Sequence, residues 1–255
     1  MLRVAGPDAH SWLQGQITAD LGRIADGPVY ALILTPGGKI VSDAWILEAE
    51  GELRVLLPAE AAASAQERLE RYLVMEDVTL EMSDAAVLHV LGPEPPPAGP
   101  AWPTRRLGEP GWDLVGSPRA LADASAGWEE LDTAHWERAR VEARIPRLGV
   151  DFGLDTLPQE AGLLHAVSFD KGCYVGQEPV VMLRDRGKPP KRLVAVRLPQ
   201  TTETEICAGG RSVGRVTSRA GERGLALVKR KALETGGLEI GGRPLEVLAV
   251  LGETP

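Results

Sequence analysis

Residues 170–178 read Asp170-Lys171-Gly172-Cys173-Tyr174-Val175-Gly176-Gln177-Glu178, and the rest of the chain is best understood outward from them. Gly172 and Gly176 bracket the Cys-Tyr-Val segment, which permits unusual backbone angles and close approach of another group. An ammonium, a thiol, a phenol, an amide and carboxylates crowd the same stretch, so the loop can offer several hydrogen-bonding groups to a flat polar ligand. It is not a phosphate-cradling P-loop, which needs a lysine directly after its second glycine and then Ser or Thr. From the residues alone two readings stand: a ligand-lining loop, and a structural turn around a buried cysteine.

Upstream, Asp8 follows Gly6-Pro7 as a helix cap before Trp12, Leu13 and Gln16. The apolar runs 29–35 and 40–48 flank Pro36-Gly37-Gly38 and predict a hairpin. A strand is expected at 52–57, a helix at 59–73, and strands at 77–82 and 86–91. Strands in meander order followed by helices indicate an α+β fold with antiparallel sheets. Residues 92–112 hold seven prolines and four glycines and read as a surface loop or subdomain connector. A helix is expected at 132–144, capped by Asp132 or Thr133, and 146–170 reads as loop. From Leu193 short β segments at 193–198, 211–217, 224–229, 237–239 and 244–250 are separated by glycine pairs. That spacing predicts a small C-terminal β-barrel, with domains at 1–189 and 190–255.

Composition narrows the function classes. The 255 residues are 44% hydrophobic and 25% charged, ordinary for a globular chain and unlike a disordered one. A net charge of −8 argues against sequence-blind nucleic-acid binding, and 4% aromatic residues leave little for a base-stacking platform. With two cysteines, Cys173 and Cys207, there is no disulfide framework, and the four histidines share no ligand spacing, so no metal site is expected. No run approaches a membrane span and Met1-Leu2-Arg3-Val4 opens no signal-peptide core, so the expectation is a cytoplasmic protein without membrane contact. One positive island stands out: residues 184–192 carry five basic side chains and one acidic. It reads as a solvated linker or as an attractor for a polyanion, and charge alone does not separate these.

The string KGCYVGQE resembles the signature of the YgfZ branch of folate-binding proteins, relatives of the glycine-cleavage T-protein, an aminomethyltransferase. Other segments agree in order: Trp12-Leu13-Gln14-Gly15-Gln16 with Thr18 and Asp20, Pro36-Gly37-Gly38-Lys39 with Asp43, Arg140-Val141-Glu142-Ala143, Leu157-Pro158-Gln159-Glu160-Ala161, and Gly214-Arg215-Val216-Thr217-Ser218. One departure is Arg144, which stands where the T-protein pattern has glycine.

The resemblance implies a T-protein-like folate-binding domain followed by the barrel, with tetrahydrofolate or a C1-substituted folate as cofactor. It implies support of iron–sulfur enzymes, including those that modify tRNA, through a folate-dependent step. An aminomethyltransferase and a binding module with a decayed folate pocket remain the alternatives. Glu142 is assigned to the pterin's paired N–H donors, which a carboxylate accepts bidentately. Asp43 is assigned to the neighbourhood of the folate's reactive nitrogens. Tyr174, Gly176, Gln177 and Glu178 join them as lining residues, and Arg184 and Arg192 as attractors of a glutamate tail. Cys173, with Lys171 favouring its thiolate, is the expected functional thiol, whereas Cys207 reads as a packed barrel residue. Iron–sulfur enzymes are the implied clients; tRNA contact is compatible with the resemblance but is not indicated by the overall charge.

Overall fold

A computed structural model describes residues 1–97, 99–186 and 188–252, with the side chain of Arg186 left out. The chain divides into two compact units, one comprising residues 1–131 and 166–177, the other 132–165 and 178–255.

In the first unit, five antiparallel strands form a sheet in the order β2-β3-β4-β1-β5: β1 Leu2–Ala5, β2 Val29–Leu34, β3 Ile40–Ala49, β4 Glu52–Leu56 and β5 Thr79–Met82. The expected hairpin is there, with Thr35–Lys39 closing the turn through the Thr35 N–H donating to the Lys39 carbonyl at 2.8 Å. Alternation along the strands sends Ala31, Ile33, Ala44, Ile46, Leu53 and Val55 to one face. There they pack with Leu13 of helix α1 (Ala9–Gln14) and with Ala65 and Leu69 of helix α2 (Ala62–Glu70) in a single core. The opposite face carries Tyr30, Leu32, Asp43 and Trp45. Asp8 precedes α1 but does not cap it with its side chain; the carboxylate instead accepts from the Asp77 N–H at 2.9 Å. Its backbone explains the difference, since φ −95° and ψ 0° are not the extended geometry that aims a cap back at the helix.

A three-stranded sheet follows, β6 Ala86–Leu91, β7 Ala101–Thr104 and β8 Gly111–Gly116, ordered β6-β8-β7. The stretch expected as loop thus contains a whole strand. Pro103 is tolerated in β7 because β7 is an edge, where a missing N–H breaks no central ladder. Helix α3 (Pro118–Ala124) packs against β6 and β8.

The second unit begins with helix α4 (Thr133–Glu142), whose Asp132 side chain accepts from the His135 N–H at 2.7 Å as its cap. It ends at Arg144 with φ +62°, so arginine holds the left-handed geometry that glycine adopts without strain. A short helix α5 (Pro158–Ala161) interrupts the expected loop. Helix α6 (Gln177–Arg186) starts at the last residue of the first unit and runs through a stretch whose glycines, prolines and charges hid it. Pro179 sits in its first turn, where a missing N–H costs nothing.

Seven antiparallel strands complete this unit: β9 Lys191–Arg197, β10 Glu205–Ala208, β11 Arg211–Ala220, β12 Arg223–Lys229, β13 Leu238–Ile240, β14 Arg243–Pro244 and β15 Glu246–Val250, with helix α7 (Arg230–Thr235) after β12. Their order, β14-β13-β10-β11-β12-β9-β15, puts at opposite edges two strands separated only by Leu245, so the sheet must curl on itself. Val194, Val196, Ile206, Val228 and Ile240 fill the inside. The fold is α+β with a C-terminal barrel, as the strand and turn pattern indicates.

Candidate functional site

The three glycine-bearing strings of the first unit, at 14–16, 36–39 and 171–177, converge. Lys171 Nζ donates to the carbonyls of Gln14 at 2.5 Å, Ile17 at 2.9 Å and Ala19 at 2.7 Å, which uses all three of its donors. Burial pushes this ammonium down to about 8, opposed by the negative charge of Asp20. Asp20 is itself held low by the Gly22 N–H and the Gln14 amide. The Val175 N–H donates to the Gly15 carbonyl at 3.1 Å. Gly176, at φ +86°, lies so close to the hairpin that a Cβ there would fall 2.4 Å from the Thr35 carbonyl and 2.9 Å from Leu34 Cβ. Beneath the turn, buried Arg68 donates to the Leu34 carbonyl at 2.7 Å and to Gln16 Oε1 at 3.1 Å.

This clamp decides where the thiol goes. Tyr174 is buried, with its ring 5.4 Å from Lys171 Nζ, while Gln177 Oε1 accepts from the Tyr174 N–H at 3.3 Å. Cys173, between them, is exposed, and Gly172 beside it faces open space. The turn around a buried cysteine is therefore not what the loop builds. Lys171 stands two residues from the thiol, but its ammonium is directed at the 14–19 carbonyls.

Leu34, against which Gly176 rests, points to the same face of the sheet as Leu32, and Leu32 is the cross-strand partner of Asp43. The loop and Asp43 thus share the face opposite the core. Tyr30 Oη donates to Asp43 Oδ2 at 2.9 Å, whereas Asp43 Oδ1 is shut from solvent with no hydrogen-bond partner among the described residues. Burial raises the Asp43 carboxyl, offset in part by the Tyr30 hydrogen bond and the charge of Arg106. The same burial and the Asp43 charge push the Tyr30 phenol well above its usual range. Trp45 packs on Tyr30 with ring centroids 5.0 Å apart, and the Arg106 guanidinium lies 5.3 Å from the Trp45 ring centre. Tyr30 and Trp45 follow from Asp43 by strand alternation and hairpin register. Arg106 had no such signal, because it comes from the proline-rich stretch.

The remaining candidates lie in the second unit. Glu142 is exposed in the last turn of α4, and Glu178 is exposed in the first turn of α6. Arg184 is exposed and pairs with Asp185 at 2.7 Å, and Arg192 Nη2 donates to the Leu251 carbonyl at 3.3 Å. Gly187 and the Arg186 side chain fall outside the described residues. Two residues before Glu142, buried Arg140 donates to Asp151 Oδ2 at 2.8 Å and Ser218 Oγ at 2.7 Å; Ser218 Oγ and Thr217 Oγ1 in turn donate to Asp151 Oδ1 at 2.6 and 2.5 Å. This buried network fastens α4 to β11, so the residues quoted from Arg140-Val141-Glu142-Ala143 and Thr217-Ser218 meet in space. Cys207, on β10 opposite Glu239, is half-buried rather than packed away, because the β10–β11 pairing bulges there.

Residues 191–249 match the C-terminal β-barrel domain of CAF17. The tRNA-modifying protein YgfZ of Edwardsiella ictaluri is 30% identical, over 79% of this chain and 71% of its own. The mitochondrial iron–sulfur cluster assembly factor IBA57 of Mus musculus is 27% identical over 100% of this chain and 82% of its own. Among solved structures, the glycine cleavage system aminomethyltransferase T from Bartonella henselae has the same fold, with a TM-score of 0.79 at 20% identity, covering 100% of this chain and 82% of that one. No helix among the described residues is long and apolar enough to cross a membrane.

Proposed function

This chain belongs to the YgfZ family, and from that membership we propose that it binds tetrahydrofolate or a C1-substituted folate and supports maturation or repair of iron–sulfur enzymes, among them enzymes that modify tRNA. The observation that carries the folate part is Asp43. A carboxylate with one oxygen bonded to Tyr30 and the other buried without a donor among the described residues is costly to leave as it is, and a ligand N–H satisfies it. Reduced folates present such N–H groups on a flat ring, and the face carrying Asp43 also carries Tyr30 and Trp45. These residues fit the group.

When bound, the folate supplies a carrier for one-carbon units. Asp43, with its carboxyl raised by burial, holds or accepts a proton at the ring nitrogen it meets. The exposed Cys173 is assigned to the step that reaches the client, and Lys171 holds its loop in place. The exposed thiol favours this reading over an aminomethyltransferase, which the resemblance distinguishes by that cysteine.

Calorimetry with tetrahydrofolate tests the binding. Saturable binding that Asp43→Ala weakens at least about tenfold supports it, in line with the loss of a hydrogen bond to a charged group. Wild-type protein that shows no saturable binding overturns it.

A further inference from the structure

Arg106 and Asp43 sit close enough for the guanidinium charge to act on the carboxyl, yet they form no ion pair. Arg106 bonds instead to Asp113: Nε donates to Oδ2 at 3.1 Å and Nη2 to the same oxygen more closely. Asp113 is buried and also bonded by His89 Nδ1 at 2.9 Å. Trp45 covers the guanidinium from the ring side. The fork is therefore fixed, but Nη1 has no hydrogen-bond partner among the described residues, and the side chain keeps 26% of its surface exposed. An orphan acceptor, Asp43 Oδ1, and an open donor, Arg106 Nη1, thus stand on one side of the sheet without satisfying each other.

A ligand that satisfies both must carry a donor beside an acceptor on one edge. In a reduced pterin the N5–H and the C4 carbonyl are peri neighbours on the fused ring, and they form such an edge. We infer that Arg106 is a specificity-determining residue of the Asp43 site, donating from Nη1 to the C4 carbonyl oxygen of a tetrahydropterin whose N5–H is accepted by Asp43. The inference rests on the folate reading and adds to it the edge of the ring that is read and the residue that reads it. A 4-amino ring places N–H donors where Arg106 offers another donor, so the pairing rejects it.

The test compares tetrahydrofolate with its 4-amino-4-deoxy counterpart by calorimetry, in wild type and Arg106→Met. Wild type should prefer the 4-oxo ligand at least about tenfold, the range expected for a site whose polar group is left facing the wrong partner. Arg106→Met should bind tetrahydrofolate more weakly and show no preference. A purely structural role for the Arg106–Asp113 pair would lower affinity for both ligands alike and leave the preference intact. If Arg106→Met does not fold, Arg106→Lys keeps a cation against Asp113 without the second arm of the fork, and it too should lose the preference. A preference retained in the folded variant overturns the role of Arg106 and leaves the folate reading standing. Wild type that binds neither ligand overturns both.

Discussion

The Tyr30 phenol donates to one oxygen of Asp43 and leaves the other oxygen of the same carboxylate buried with no hydrogen-bond partner among the described residues. A side chain selected for stability would not be left in this state, since an unsatisfied buried acceptor costs roughly 1–3 kcal/mol. The arrangement is what a binding carboxylate looks like before its ligand arrives, and it can be measured without the ligand.

Asp43→Asn should stabilise the free protein at neutral pH while weakening tetrahydrofolate binding. The sign follows from burial, which raises the carboxyl in the folded chain above its ordinary value of 3.8. Between that value and the raised one the folded state holds a proton the unfolded state has lost, so this group's contribution falls as pH rises through the window. Urea midpoints from pH 4 to pH 8 should show Asp43→Asn gaining on wild type as pH rises. A gap that is constant, or that closes, counts against a buried, raised carboxyl.

Lys171 gives the opposite slope. Its folded-state value, about 8, lies below the ordinary 10.5. Between the two the unfolded chain binds the extra proton, so the Lys171 contribution rises with pH in that interval. Measured against Lys171→Met, wild type should gain stability as pH goes from 8 to 10. Below pH 8 the comparison reads the three bonds to the Gln14, Ile17 and Ala19 carbonyls less the cost of burying the charge, and it does not change with pH on account of this group. A flat difference across the alkaline range would mean that the ammonium is not desolvated.

Arg144→Gly should stabilise the second unit. Arg144 is exposed and left-handed, and the left-handed region costs an L-residue about 1–2 kcal/mol, against roughly 0.5–1 kcal/mol of extra chain entropy for glycine. The net gain expected is up to about 1.5 kcal/mol in urea unfolding. A loss of stability would show that the arginine side chain holds something in place.

The sequence yields these sites unevenly. The β2–β3 hairpin is legible because Pro36-Gly37-Gly38 punctuates two apolar runs, and the curled sheet because glycine pairs mark its turns. The strand Ala101–Thr104 is not, since edge position rescues Pro103 and edge position is a tertiary fact. Helix α6 hides behind Pro179 for a similar reason: the rule against proline lapses in a first turn, and the turn's position depends on where the Gly176 contact ends the loop. Asp43 and Cys173 were readable as chemistry-bearing residues within recognisable strings. The contacts that orient them were not, because Lys171 meets residues more than 150 positions upstream and Arg106 reaches Trp45 across two sheets.

The Cys173 loop separates thiol chemistry from loop architecture. Cys173 is exposed and Gly172 faces open space, so Cys173→Ser should change stability by no more than about 0.5 kcal/mol, as exposed substitutions do. Gly176→Ala should behave differently. Its positive φ disfavours any Cβ, and the added atom would collide with the Thr35 carbonyl, so about 1–3 kcal/mol of strain or a displaced loop is expected. In a cell lacking the protein, Cys173→Ser should accumulate normally and yet fail to restore iron–sulfur enzyme activity. Gly176→Ala should fail in proportion to its lost stability. If Cys173→Ser restores full activity, the thiol has no role in reaching the client, and the loop serves only to place Tyr174 and Gln177 on the face that carries Asp43.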